Sequence, residues 1–324
     1  MLVGVTGGRG LIGSELVNRH LGEGDTVRVL TRSPSQDGKV QHQNLYYFAG
    51  DLTLSSPLLE SFADGLDVLY HCAGELLDES EMPALHVGGT ENLIAAASNR
   101  VKHWVQLSSV GVYGPVFSGI VTEDSPLNPQ GTYETTKVKS DLLVKEAAEK
   151  RLFSLTVVRP ANVYGPNMPN QSLFQLINMI DKGLFFFIGR PGASTCYIHV
   201  SDVADALLRC ASNVEAKGQT FIVSEHQYLE DYVAGIAREL GKPSPRMRLP
   251  KRPLVLLATL FDRVPGFPLS RNRINAMTSR TEYSTEKIHR ELDYVTKIST
   301  EEGIRQMVAA WNRRRQENNH PLRS

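Results

Sequence analysis

The feature that most constrains this chain is a glycine-rich turn set directly after its first apolar run. Leu2-Val3-Gly4-Val5 passes straight into Thr6-Gly7-Gly8-Arg9-Gly10-Leu11-Ile12-Gly13. A strand that turns on glycines into a helix leaves backbone amides free at the helix N-terminus, and the missing side chains let a pyrophosphate reach them. Such a turn belongs to a parallel sheet in which strands alternate with crossover helices. The following sequence keeps that rhythm. Short runs rich in β-branched residues at 26–31, 45–49, 67–71, 103–108 and 153–159 alternate with helical spacing at 11–22, 57–63, 84–99 and 133–150. This predicts a doubly wound, Rossmann-type α/β sheet with right-handed crossovers. Beyond Pro160 the pattern is less regular, with a proline- and glycine-rich stretch at 165–170, a helix near 172–182 and a return strand at 219–223. We therefore expect a dinucleotide-binding unit over 1–168 with a return segment at about 195–226. A smaller substrate lobe takes 169–194 and 227–315, and 316–324 forms a frayed tail.

The turn assigns Gly7, Gly10, Leu11, Ile12 and Gly13 to the cofactor. The second strand ends Val29-Leu30-Thr31-Arg32-Ser33. A carboxylate here would hold the ribose 2′-hydroxyl of NAD, whereas Arg32, with Arg9, is suited to a 2′-phosphate. NADP is the expected cofactor and NAD the alternative. Asp51, after the third strand, is a candidate acceptor for the adenine amine, or a turn residue or cap.

Tyr133 and Lys137 lie four residues apart on one face of a helix. A phenol ionises near pH 10, so a neighbouring ammonium and an oxidised nicotinamide are expected to bring it down into a useful range. Lys137 can also hold the nicotinamide ribose. Ser108 and Ser109 end the preceding strand, at the carboxyl edge of the sheet, where a hydroxyl can polarise a carbonyl.

The 35 basic and 35 acidic residues balance, so no global field recruits nucleic acid or an anionic membrane, and a small-molecule substrate is expected. Cys72, Cys196 and Cys210 show no metal-ligand spacing, so no metal is expected and they read as reduced thiols. No apolar run is long enough to span a bilayer, the first strand leaves no room for a signal peptide, and a cytoplasmic location is the expectation.

Together these motifs resemble the extended short-chain dehydrogenase/reductase family, in the epimerase, reductase and dehydratase branch that handles sugar nucleotides. The resemblance rests on the glycine turn and on Gly50-Asp51-Leu52, His71-Cys72-Ala73-Gly74, Val87-Gly88-Gly89-Thr90-Glu91-Asn92-Leu93 and Ser108-Ser109-Val110-Gly111-Val112-Tyr113-Gly114. It continues through Tyr133 to Lys137, Arg159-Pro160-Ala161-Asn162-Val163-Tyr164-Gly165-Pro166 and Tyr197-Ile198-His199-Val200-Ser201-Asp202. It implies Ser109 as the catalytic serine, Tyr133 as acid/base and Lys137 as its partner. Leu52 and Ala73 fall in its cofactor-binding stretches, and Asn162 and Tyr164 line its substrate cleft. The family's dimers pack two helices, here about 84–99 and 133–150, and a homodimer is expected.

Departures from the family pattern narrow the chemistry. Val110 and Gly111 stand where 4,6-dehydratases carry an Asp-Glu pair, which argues against dehydration. Thr195 stands where sugar-nucleotide members present an arginine to a diphosphate, leaving Arg190 or Lys182 as substitutes. His86 replaces a common asparagine and receives no role. The first expectation is hydride transfer at a nucleotide-activated keto-sugar. The C-terminal part also resembles 3β-hydroxysteroid dehydrogenase-like members, so an apolar ketone or alcohol is the second. A non-catalytic NADP-binding protein is the third. His199 is expected to be framework, Asp202 to cap the helix after it, and Phe185-Phe186-Phe187 to be core.

Overall fold

A computed structural model describes residues 1–33, 42–169, 171–260 and 271–319. Seven strands form the central sheet: β1 (Leu2–Thr6), β2 (Thr26–Thr31), β3 (Leu45–Ala49), β4 (Leu66–His71), β5 (Val101–Leu107), β6 (Ser154–Pro160) and β7 (Thr220–Val223). Their order is β7-β6-β5-β4-β1-β2-β3. Every pairing is parallel, with Val5 beside both Val29 of β2 and Tyr70 of β4. The order reverses on either side of β1, and at such a reversal the crossovers leave on opposite faces, opening a crevice at the carboxyl ends.

The crossovers are α1 (Leu11–Gly22), α2 (Pro57–Ala63), α3 (Gly89–Ala97) and α4 (Thr132–Glu149). The helix expected over 84–99 begins instead with a wide turn at Pro83–Gly88, where Gly89 N–H reaches back five residues to the Ala84 carbonyl. On one face of the sheet Val3 and Val5 pack with Leu16 and Val17 of α1 and with Val203 and Leu207 of a later helix, α6 (Val200–Ser212). On the other, Phe62, Leu93 and Val144 from α2, α3 and α4 cover Leu69 and Trp104. Burial on both faces explains why these strands read as continuous apolar runs rather than alternating ones.

A second core joins α5 (Ser172–Asp181), α7 (Leu229–Glu239) and the helix Thr300–Asn319 through Leu173, Ile177, Val233, Ile236, Met307 and Trp311. Two segments sit differently from their expectation. Ile288, Leu292 and Tyr294 pack into the core of the main sheet rather than the lobe. The last helix is continuous to Asn319, past the start of the expected tail, and 320–324 lie outside the described residues. Among the described residues no helix is long and apolar enough to cross a membrane.

Candidate active site

The glycine turn leaves no room for side chains. Gly7 has φ +66°, and a Cβ there would stand 2.7 Å from the Cys72 carbonyl oxygen. A Cβ on Gly13 would stand 2.3 Å from the Gly7 carbonyl oxygen. Gly10 N–H donates to that same carbonyl at 2.9 Å, and Ser14 N–H is the first to return into α1, donating to Gly10 O at 2.9 Å. Gly10 caps the helix without a side chain, so the amides of Leu11, Ile12 and Gly13 have no acceptor within it. Bare amides, a helix dipole and a cradle that any Cβ would fill suit the pyrophosphate of a dinucleotide.

The other residues expected at the cofactor sit at the ends of neighbouring strands and loops. Ala73 N–H donates to Thr6 Oγ1 at 3.2 Å, which fixes the loop after β4 against the end of β1. Arg32 is exposed at the end of β2, and exposed Arg9 donates to the Ser33 carbonyl beside it at 3.2 Å. Asp51 Oδ1 accepts from the Thr53 amide and hydroxyl, the turn role foreseen as its alternative. Leu52 is buried, and its carbonyl accepts from Asn92 at 2.8 Å.

Ser109, Tyr133 and Lys137 converge beyond the ends of β4 and β5. Ser109 Oγ accepts from Gly111 N–H at 3.0 Å and stands close enough to the Tyr133 phenol to lower its pKa. Tyr133 lies in the first turn of α4, and Lys137 one turn on is only 5% exposed, its Nζ donating to the Leu107 carbonyl at 2.6 Å. The lysine and an oxidised nicotinamide together are expected to pull the phenol down; among the protein's own groups burial dominates and pushes Tyr133 up to about 12, with Ser109 working the other way. Burial also lowers Lys137, opposed by Asp141 and Cys72. The phenol is therefore protonated at neutral pH.

Ser108 turns out to face inward. It is buried, donating to Asp141 Oδ2 at 2.7 Å, and Asp141 is paired with Arg159 at 3.3 Å. Arg159 in turn donates to the Tyr113 hydroxyl at 2.9 Å, so this set braces the floor and offers a substrate nothing. His199 is framework as expected, accepting from Ser201 N–H, but Asp202 is not the cap. It binds the amides of Lys297 and Ile298, holding the C-terminal segment to α6.

A cavity of about 550 Å³ lies between the loop 114–117, α5 and the segment 273–283. Leu173, Leu176, Met179, Phe185, Phe186 and Met277 make its walls apolar. Asn162 lines it, donating to the Cys196 carbonyl at 3.1 Å, and Thr195 lines it with its hydroxyl on the Gln227 carbonyl. Arg190 is exposed and does not line it. The one cation lining it among the described residues, Arg273, donates to Gln175. Phe185 and Phe187 are core, as foreseen, although Phe185 also reaches the cavity, whereas Phe186 is wall.

Sequence reasoning missed a buried polar chain under the site. Trp104 donates to Gln106, Gln106 to Ser140, and Ser140 meets Thr90 at 2.9 Å. Thr90 donates to the His86 carbonyl and lies 3.1 Å from His71 Nε2, whose Nδ1 lies 2.7 Å from Thr6 Oγ1. The chain joins the glycine turn to α4 just past Lys137. Its only sequence signal was polar residues, His71, Thr90 and Gln106, inside runs that are otherwise apolar.

A dinucleotide cradle opening onto a Ser-Tyr-Lys set defines an NAD(P)-dependent oxidoreductase of the extended short-chain dehydrogenase/reductase class. The profile of the NAD dependent epimerase/dehydratase family matches residues 3–224, and the chain belongs to that family. It is similar to the low-salt glycan biosynthesis protein Agl12 of Haloferax volcanii, 33% identical over 63% of this chain and 70% of that one. It is similar over more of its length to a 4-hydroxy-2-methyl-3-oxo-4-farnesyl-3,4-dihydroquinoline-1-oxide ketoreductase of Stigmatella aurantiaca, 27% identical over 93% of each chain. A 3 beta-hydroxysteroid dehydrogenase/Delta 5-->4-isomerase of Mycobacterium tuberculosis is 25% identical over 93% of this chain and 87% of its own. The fold is shared with UDP-glucuronic acid 4-epimerase from Bacillus cereus in complex with NAD, at TM-score 0.76 and 18% identity, covering 97% and 99% of the two chains.

Proposed function

We propose that the protein reduces an apolar ketone, or oxidises the corresponding alcohol, using NADP(H). The observation that carries this reading is the cavity: the larger part of its wall is aliphatic and aromatic, its polar lining is mostly uncharged hydroxyls and amides, and its one cation among the described residues donates to Gln175. A nucleotide sugar brings a diphosphate that calls for a cationic fork, and Thr195 with its hydroxyl spent on the backbone supplies none. The relatives matched over 93% of this chain act, by their names, on a farnesylated ketone and on a steroid. The glycan-biosynthesis relative covers 63% of it. The keto-sugar reading, first from sequence, thus becomes second. It keeps the support of the shared fold with a sugar-nucleotide epimerase.

The cofactor supplies hydride chemistry when bound. Gly7, Gly10 and Gly13 with the amides of Leu11 and Ile12 hold its pyrophosphate, and Arg9 and Arg32 favour a 2′-phosphate. Ser109 and Tyr133 share the substrate carbonyl oxygen. Tyr133, held protonated by burial, gives it a proton as charge builds there, and Lys137 keeps a fixed cation behind the phenol. The lobe elements around α5 shape the substrate, and a homodimer packs through α3 and α4, where Leu142 is exposed.

The test pairs two assays on the purified protein. NADPH oxidation is followed with a panel of polycyclic and prenylated ketones, and melting temperature is followed with UDP, GDP and dTDP. Turnover of an apolar ketone with no nucleotide-induced shift supports the reading. A nucleotide shift with no ketone turnover overturns it in favour of the sugar.

A further inference from the structure

His86 sits where the wide turn Pro83–Gly88 brings the loop after β4 against α4, and it is 2% exposed. Such i→i+5 turns interrupt regular helix at a cost and concentrate at functional positions. Its Nε2 accepts the Glu75 amide proton at 2.8 Å, and its Nδ1 lies 2.8 Å from Thr136 Oγ1. Thr136 stands between Tyr133 and Lys137 in the same turn of α4, its hydroxyl reaching the Thr132 and Tyr133 carbonyls at 2.8 and 2.9 Å. The imidazole also meets the Tyr133 ring edge to face, with centroids 5.7 Å apart and planes at 82°.

These partners dictate the proton positions. A backbone amide can only donate, so Nε2 must be bare. An imidazole accepting at both nitrogens would be an anion, so Nδ1 carries the proton and donates to Thr136. A doubly protonated ring would point one N–H at another at Glu75. Burial and the Lys137 charge lower His86 to about 4, opposed by the Glu75 carboxylate, and the amide proton accepted at Nε2 likewise favours the neutral ring. His71 reads the other way round. Thr90 spends its proton on the His86 carbonyl and so accepts from His71 Nε2–H, leaving Nδ1 to accept from Thr6.

We propose that His86 is a positioning residue for Tyr133: a neutral Nδ1–H imidazole that ties the loop after β4 to the first turn of α4 and closes the back of the phenol to water. The inference rests on Tyr133 being the proton-transfer group and deepens that assignment. It also gives the substitution of the family's asparagine a task that a shorter amide does not perform, since the ring fills the space against the phenol.

Two substrate-free measurements test it, so a failed ketone screen and a failed His86 role remain distinguishable. In protein labelled with 15N-histidine, with signals assigned through His86→Gln and His71→Gln, His86 should show a protonated Nδ1 and His71 a protonated Nε2 at neutral pH. In protein labelled with 13Cζ-tyrosine, the signal lost in Tyr133→Phe should stay phenolic at about pH 10, the ordinary tyrosine midpoint. In His86→Ala water reaches the ring, and that signal should move toward phenolate at the same pH. His86→Gln, which keeps an acceptor and a donor and most of the volume, should hold it near wild type. A protonated Nε2 on His86, or a Tyr133 signal equally phenolic in the alanine variant, overturns the proposal. If His86→Ala does not fold, the tautomer in wild type decides.

Discussion

The floor of the site and its roof are built on different principles. The floor is the glycine turn, with its free amides at Leu11, Ile12 and Gly13, together with the ends of β4 and β5 and the first turns of α4, which a chain of buried side-chain hydrogen bonds holds in place. The roof assigned to the substrate is a cavity of about 550 Å³ that Ser109, Tyr133 and Lys137 do not themselves line; its walls come from the loop 114–117, α5, the strand Ser194–His199 and the segment 273–283. Reaction chemistry is fixed by the floor, where small displacements are costly. Substrate choice is left to the roof, where side-chain volume and polarity set the fit. The same floor can therefore serve sugars and lipophilic ketones alike, and only the roof discriminates.

The largest expected effect comes from breaking the floor. Tyr133→Phe should lower kcat by about 10²–10⁴ while leaving NADPH affinity and melting temperature near wild type, measured by steady-state turnover and cofactor titration. Next comes the roof. Leu176→Arg, placing a charge in an apolar wall, should cut kcat/KM for an apolar ketone by roughly 10²-fold, the cost of an unpaired charge there, with cofactor affinity unchanged. An equal loss of cofactor affinity would mean that floor and roof are not separable. Thr195→Arg sharpens the same contrast: if the missing arginine is what excludes nucleotides, this variant should gain a UDP-induced rise in melting temperature that the parent lacks. Smaller again, Arg32→Ala should weaken NADPH by about tenfold, the scale of one exposed charge pair to phosphate, and leave NADH almost unchanged.

The floor was largely legible in the sequence because its signals are local. The turn, the strands β1 to β3 and the Tyr133–Lys137 spacing each lie within a few consecutive residues, and the structure brings Ser109, Tyr133 and Lys137 together as their order implied. What escaped notice depends on partners far away in the chain. Ser108 and Ser109 are indistinguishable by position, and only Asp141, anchored by Arg159, turns Ser108 inward. His86 and the wide turn that carries it make sense only once Glu75 and Thr136 face each other. The roof was hardest, since its lining residues alternate with core residues in the same short elements. Phe186 is wall, its neighbour Phe187 is core, and Phe185 serves both.

The same division predicts how the molecule responds to acid. Burial lowers His71 to about 3 and His86 to about 4 under the site, and His103, bonded to Ser154 far from the glycine turn, to about 4. In the unfolded chain each titrates near 6.5. A group lowered on folding binds its proton more readily when unfolded, so its contribution to stability is complete above about pH 6.5 and is lost as pH falls toward 3–4. At pH 5 each histidine should have forfeited no more than about 2 kcal/mol, and the melting temperature should fall by several degrees from its neutral value. His103→Asn should remove part of that acid sensitivity while leaving NADPH affinity at pH 5 untouched. His71→Asn should remove a similar part but weaken NADPH, because the Thr6 hydroxyl that holds Ala73 loses its partner. If both variants treat cofactor alike, the buried chain beneath the site serves only to hold the fold together, and the floor owes its geometry to the main chain.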